Sequence, residues 1–141
     1  MKNFAAAIEI RARPETVWNL LTEAQGYPQW NSTVDKVEGR IALGEKITVH
    51  AKIAPGRAFP VKVTEFVPSE RMVWSGGMPL GLFKGDRRFT LTLTSPGVTW
   101  FTMQEGFSGL LAPLITRSIP DLQPAFDAFA ADLKRRAERR A

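Results

Sequence analysis

Between Leu110 and Arg140 the large apolar residues recur at Leu111, Ile115, Ile119, Leu122, Phe126, Phe129 and Leu133. These spacings of three and four residues line one stripe of an α-helix. Pro120 and Pro124 lie inside the stripe. Each removes a backbone donor and crowds the preceding turn, so a bend or a break is expected there. The part after Pro113 would reach roughly 40 Å at the α-helical rise, enough to cross a small domain. Such a stripe has to be buried, and the rest of the chain must supply the surface that buries it.

That surface is expected to be β. Asn3 to Arg11 alternates, with Phe4, Ala6, Ile8 and Ile10 on one face of a strand. Pro14 suits the first position of a helix and Glu15 favours its positive end, so Val17, Trp18, Leu20 and Leu21 belong to a short amphipathic helix. Gly26 is a plausible stop, and Tyr27-Pro28-Gln29-Trp30-Asn31 reads as a second short helix or compact turn. From Thr33 to Phe107 the pattern is strands without intervening helices: Val34 to Arg40, Ile47 to Ile53, the run through Phe59, Val61 and Val63, Arg71 to Ser75, Arg87 to Thr94, and Val98 to Phe107. Pro55-Gly56, Pro68-Ser69-Glu70 and Ser95-Pro96-Gly97 mark the turns. Gly76 to Gly81 reads as a flexible, partly apolar loop. Short turns between consecutive strands imply an antiparallel sheet. One helix cannot cover a flat sheet of six or seven strands, whereas a curved sheet can wrap it and leave space between. The expected fold is α+β: a curved antiparallel sheet of six or seven strands around a long C-terminal helix, with two short helices after the first strand, in a single domain over 1–141.

Composition narrows the chemistry. The chain has no cysteine, so disulfides and thiolate chemistry are excluded. Its one histidine, His50, excludes a histidine-rich metal site and argues against a His-based triad. No apolar run approaches a membrane span, and no continuous apolar segment precedes Glu9 and Arg11. A soluble cytoplasmic protein without a secretory signal is therefore expected. The net charge of +5 draws attention to anionic partners. However, Lys134, Arg135, Arg136, Arg139 and Arg140 crowd the end of the last helix, where cations complement the helix dipole. No nucleic-acid partner, no stable membrane insertion, no metal and no cofactor are expected.

Three stretches in order, with the element sequence, carry a resemblance. They are Pro14-Glu15-Thr16-Val17-Trp18 followed by Tyr27-Pro28-Gln29-Trp30-Asn31; Arg71-Met72-Val73-Trp74 after Pro68; and Thr99 to Gly109 leading into the last helix. The chain resembles the helix-grip superfamily (SRPBCC) of START lipid-transfer domains, birch-pollen-allergen-like proteins and the bacterial polyketide cyclase/dehydrase and lipid-transport group. The resemblance implies a cavity between sheet and helix that holds an apolar or amphipathic small molecule. It implies no single reaction, because members include carriers, receptors, cyclases and chaperone activators. Where relatives often carry histidine this chain has Arg87, which does not release its proton at working pH, so an acid/base role there is not carried over.

Phe101, Met103, Glu105 and Phe107 share one strand phase, and three of the four are apolar, so the shared face should be the concave one. Glu105 then points inward and needs a partner or a raised pKa. Arg87 shares the phase of Phe89 and Leu91 on the preceding strand. Arg87 and Glu105 are expected to pair inside or at the rim of the cavity and fix the polar end of a ligand; a satisfied core ion pair is the plainer alternative. Trp18, Trp30 and Trp74 read as core, and Trp74 also as pocket wall. Phe126 and Phe129 are the candidates for the helix side. The candidate ligand-binding set is thus Trp74, Arg87, Phe89, Phe101, Met103, Glu105, Phe126 and Phe129, with Glu105 alone as a weak catalytic candidate. His50 is expected on a solvated face, Asp86 in a turn, and Gly76 to Gly85 either as a lid over the mouth or folded onto the core. The first expectation is binding of a lipid-like or polyketide-like molecule by a monomer or homodimer. A cyclase or dehydratase using the same cavity, and a protein-interaction module of the chaperone-activator type, are the alternatives.

Overall fold

A computed structural model describes residues 3–140. Seven strands form one antiparallel sheet: β1 (Phe4–Ile10), β2 (Val34–Glu38), β3 (Lys46–Ala51), β4 (Phe59–Val67), β5 (Arg71–Met78), β6 (Phe83–Ser95) and β7 (Val98–Ser108), in the spatial order β1-β7-β6-β5-β4-β3-β2. Short helices α1 (Pro14–Thr22) and α2 (Tyr27–Trp30) follow β1, with a single 3-10 turn at Ala24–Gly26 between them. Alternation determines which side each strand buries. On β7, Phe101, Met103 and Phe107 are buried while Trp100 and Gln104 are exposed. Irregular register between Val34 and Lys36, Val63 and Glu65, and Leu93 and Ser95 interrupts the ladders. Each such irregularity bends its strand, and the sheet curls into a half-barrel.

The last helix, α4 (Gln123–Arg140), lies in the concavity with Phe126, Phe129, Ala130, Leu133 and Ala137 buried. Its side chains also cover the free edge of β1. Gln123 Nε2 donates to the Ala5 carbonyl at 2.7 Å, Lys134 Nζ donates to the Glu9 carbonyl at 2.8 Å, and Glu138 accepts the Arg11 amide at 3.0 Å. An open strand edge is thereby satisfied by the helix that the sheet grips. From the other side, Ser32 donates from its amide and its hydroxyl to Asp132 Oδ2 at 2.8 and 2.7 Å.

The apolar stripe does not form one bent rod. It breaks into α3 (Ala112–Ile115), one 3-10 turn at Thr116–Ser118, an extended link, and α4. Ile119 has φ −77° and ψ 126°, the extended conformation that a following proline imposes. Asp121 Oδ1 then accepts the Gln123 amide at 3.0 Å, and Pro124 falls in the first turn, where its missing donor costs nothing. α4 is therefore about 27 Å long, and of the bend or break expected at the prolines the chain makes a break. Leu111, Ile115, Ile119 and Leu122 are only partly buried, whereas Phe126, Phe129 and Leu133 are fully so.

Other boundaries also move. β3 stops at Ala51, leaving Ile53 exposed in the turn beyond. Leu93 is exposed, because β6 runs on past the core after Leu91. The expected glycine loop is mostly strand: Gly76 pairs with Gly85, Gly77 with Lys84 and Met78 with Phe83, so only Pro79 to Leu82 turn. Glycine at Gly77 is required, since φ is +137° and a Cβ would lie 2.4 Å from the Phe83 carbonyl oxygen. Asp86 sits within β6, where it accepts a hydrogen bond from Ser75, rather than in a turn.

Tyr27 occupies the centre of the core. Its ring lies 4.9 Å from Trp30 and 6.2 Å from both Trp74 and Phe129, and its hydroxyl donates to the Leu21 carbonyl at 2.7 Å. Burial pushes its pKa far above the ordinary 10.0, with the nearby Arg87 charge acting in the opposite direction. The folded chain thus keeps this proton where the unfolded chain has lost it. Its contribution is fully present below about pH 10 and is lost as pH rises beyond that.

Two outcomes follow from this packing. Leu133→Ala, at a fully buried position, is expected to cost about 2–5 kcal/mol in urea unfolding, against less than about 0.5 kcal/mol for exposed Arg139→Ala. Tyr27 is the sequence's only tyrosine, so tyrosinate absorbance reports it alone. That absorbance should rise only as the protein unfolds, and Tyr27→Phe should flatten the loss of stability above about pH 10. Reversible ionisation near pH 10 with the fold retained would contradict the burial argument.

Candidate ligand-binding site

Between the sheet and the broken C-terminal segment lies a cavity of about 570 Å³. Its floor comes from β3 to β7 through Val49, Val61, Trp74, Met103 and Phe107, and its roof from Ile115, Ile119, Leu122, Phe126 and Phe129. Two features leave the space unfilled. The extended link at Ile119–Leu122 carries few side chains into the concavity. In addition, Gly76 and Gly85 face each other across β5 and β6, both on the cavity wall, so no side chain projects from that pair. A Cβ at Gly85 would already touch the Phe107 ring at 3.3 Å. The mouth is marked by exposed wall residues, among them Ile53, Arg57 and Phe59. A second depression, of about 540 Å³, is an open groove on the outer surface near Pro68 to Arg71 and Thr90 to Leu93, lined mainly by polar or exposed groups.

Arg87 and Glu105 are register partners on β6 and β7. Arg87 Nε donates to Glu105 Oε1 at 2.8 Å, and both side chains are largely buried, 23% and 15% exposed. The guanidinium carbon also lies 4.7 Å from the centre of the Phe126 ring, a cation–π contact that fixes the arginine against the helix. Among the described residues the Arg87 side chain makes no further hydrogen bond, so both terminal nitrogens are without a protein acceptor. Among the described residues Glu105 is the only carboxylate on the cavity wall. Trp74 pairs with Arg87 from β5, and its buried indole N–H has no hydrogen-bond partner among the described residues. An unsatisfied donor of this kind costs about 1–3 kcal/mol.

Of the eight candidate residues, Trp74, Arg87, Met103, Glu105, Phe126 and Phe129 line the cavity. Phe89 and Phe101 do not: both are fully buried, and Phe129 packs over them with ring centres 5.9 and 6.4 Å away. Their phase is concave as expected, but at their depth the helix already fills the concavity. Sequence reasoning missed the glycine pair and the roof residues Ile115, Ile119 and Leu122. The roof was visible as the continued apolar stripe; the glycines gave only a turn signal. His50 lies on the outer face, where its Nε2 meets Glu38 Oε1 at 2.5 Å and that hydrogen bond holds the exposed Glu38 carboxyl below its usual range. Trp18 and Trp30 belong to the core. Among the described residues no cluster of acidic groups and His is arranged to hold a metal ion, and no helix is long and apolar enough to cross a membrane.

Solved structures share this architecture. A START superfamily protein from Mycobacterium smegmatis superposes with a TM-score of 0.71 at 17% identity, covering 99% of each chain. The Zhui aromatase/cyclase from a Streptomyces species gives a TM-score of 0.75 at 13% identity, covering 99% of this chain and 94% of that one. The Aha1 dimer from Colwellia psychrerythraea gives 0.72 at 21% identity, covering 98% and 97%. At these identities the likeness is one of fold. No curated protein gives a significant sequence match. Residues 1–138 match the family described as polyketide cyclase / dehydrase and lipid transport. With the curled seven-stranded sheet, the gripped helix and the cavity between them in place, this chain belongs to the polyketide cyclase / dehydrase and lipid transport family and has a START-like fold.

Proposed function

We propose that the chain binds a hydrophobic or amphipathic small molecule, lipid-like or polyketide-like, with Arg87 and Glu105 holding its polar end. The observation that carries this reading is a mostly apolar cavity of about 570 Å³ with one charged pair on its wall. Apolar contact supplies the affinity, at about 25 cal/mol per Å² of buried surface. The pair supplies orientation. Arg87 spends only its Nε on Glu105, which leaves donors for a ligand oxygen, while the remaining lone pairs of Glu105 accept from a ligand hydroxyl. The two charges cancel to first order at ligand distance. A neutral group that both donates and accepts, such as a phenol or hydroxy-ketone, fits this anchor better than a free anion.

A catalytic reading draws on the same cavity. A cyclase or dehydratase would orient a flexible chain and move protons through Glu105. An arginine is a poor proton-transfer group, and among the described residues no second carboxylate, histidine or tyrosine lines the wall beside Glu105. A carrier with one polar anchor is therefore favoured over an enzyme. A chaperone-activator type of interaction module is favoured less, since it would need no open interior.

Calorimetric titration with naphthol as a neutral hydroxylic probe tests the reading. Wild-type protein is expected to bind, and Arg87→Met and Glu105→Gln each to weaken binding roughly 10- to 100-fold, the range of a hydrogen bond to a charged group. Gly85→Val, which thrusts a side chain into the wall, should abolish it. Undiminished binding in the two anchor variants would remove the anchor, and undiminished binding in Gly85→Val would remove the cavity as the site.

A further inference from the structure

The exposed apolar residues are not scattered. Nine large hydrophobic side chains are exposed among the described residues, and six of them, Ile53, Phe59, Met78, Leu80, Leu110 and Leu114, sit at one end of the sheet. Three chain turns meet there: the link from β3 to β4, the hairpin tip between β5 and β6, and the segment that leaves β7. Two of these turns are fastened together, since Leu110 donates from its amide to the Gly81 carbonyl at 3.1 Å and Leu111 to that of Leu82 at 2.7 Å. Gly109 permits the approach, for a Cβ there would lie 2.7 Å from the Leu82 carbonyl oxygen. On this fixed base Leu80 is 94% exposed and Leu110 80% exposed. A side chain held almost wholly in water on a fixed turn buries little area in the fold, and several together mark a contact surface.

The charges at this end favour one kind of partner. Lys52, Arg57, Lys84 and Arg117 are exposed there and outnumber the carboxylates Asp35, Asp86 and Asp121. Asp86 is spent on Lys84, at 3.8 Å, and Asp121 on the Gln123 amide. Lys52, Arg57 and Arg117 form no ion pair among the described residues. The N-terminus of α4, the positive end of its dipole, points the same way. A second copy seated on this face about a two-fold axis would bring like charges together.

The patch is also continuous with the cavity. Ile53, Phe59 and Arg57 belong to both the mouth and the exposed end, and Phe83 and Ile115 lead from the hairpin tip and α3 onto the cavity wall. We propose that this end docks on a bilayer surface carrying anionic headgroups, with Leu80, Leu110, Leu114 and Met78 entering the headgroup–acyl boundary and the basic residues contacting phosphates. The cavity mouth then faces the bilayer, and an apolar ligand passes between them without crossing water. Docking itself stands apart from ligand binding; only the passage of ligand rests on the reading given above. The balance of insertion and charge is that of a peripheral contact, since single leucines add to electrostatic attraction without spanning the membrane.

Flotation of the full chain with phosphatidylcholine vesicles, with and without phosphatidylserine, tests this. The protein should float with the anionic vesicles, less with the neutral ones, and progressively less as salt is raised. Leu80→Asp/Leu110→Asp should lower partition by about tenfold or more, as expected for two leucines lost from the boundary. Lys52→Glu/Arg117→Glu should remove the preference for anionic vesicles. All four positions are exposed, so circular dichroism and thermal unfolding should match wild type; single Leu80→Asp serves if the double variant does not fold. Naphthol titration without vesicles reads the cavity alone and should be unchanged in Leu80→Asp, which separates failure of docking from failure of ligand binding. Absence of flotation by wild type, flotation equal in the leucine variants, or a concentration-dependent dimer broken by Leu80→Asp without vesicle affinity would each overturn the proposal, the last in favour of a second copy.

Discussion

The fold turns on one contact: Phe129 of α4 driven into the concave side of the sheet. Its ring meets Tyr27, Trp30, Phe89 and Phe101 at centre distances between 5.6 and 6.4 Å. These rings come from α2, β6 and β7, so a single side chain ties helix, sheet and the short helical layer together. Aromatic pairs at such spacings add about 0.5–1.5 kcal/mol each beyond their buried area. The hydrogen bonds that Gln123 and Lys134 donate to β1, and the one that Glu138 accepts from Arg11 just beyond it, then fix how the helix lies along the edge. Without the wedge, those polar contacts would be exposed pairs of small worth.

The same wedge divides the interior into a solid half and a hollow half. Towards the C-terminus of α4, Leu133 and Ala137 fill the space against β1 and α1. Towards its N-terminus the helix ends at Gln123, because Pro120 forbids helical geometry in the residue before it. An extended link covers less than a helix does, and the opposed pair Gly76 and Gly85 contributes no side chain beneath it. Arg87 and Glu105 stand at the boundary between the halves, with Phe126 stacked on the guanidinium. Hollow space and charged pair therefore share one origin, the point at which the helix stops.

Much of this was legible before any coordinates. A three-four spacing identified the helix face, and two-residue alternation placed Phe101, Met103, Glu105 and Phe107 on one side. The shared phase of Arg87 with Phe89 predicted the ion pair, because register between long antiparallel strands preserves phase. Depth was not legible. Phe89 and Phe101 have the same phase as Arg87 and Met103, yet the first two lie under Phe129 and the second two line the cavity. Which of them meets solvent-sized space depends on where the helix ends, a tertiary fact. Gly76 and Gly85 misled in a different way. Glycine signals a turn in sequence, and nothing local distinguishes a glycine that bends the chain from one that empties a wall. Pro120 signalled a bend or break, and the extended conformation of Ile119 makes the break complete.

The charged pair is poorly accounted for by stability alone. Taking a carboxylate and a guanidinium out of water costs several kcal/mol each, and their attraction commonly does no better than break even against a well-packed apolar pair. Neighbouring positions on the same strands carry phenylalanine, leucine and methionine, so apolar residues of similar volume fit the local pattern. The pair also stands where packing is least complete, beside a buried Trp74 N–H with no hydrogen-bond partner among the described residues. A site concerned only with holding the fold would fill that space. Unspent hydrogen-bonding capacity on Arg87 and Glu105 around an empty volume suits a cavity that orients a guest bringing its own oxygen, and this supports the proposed ligand reading over a plain core ion pair.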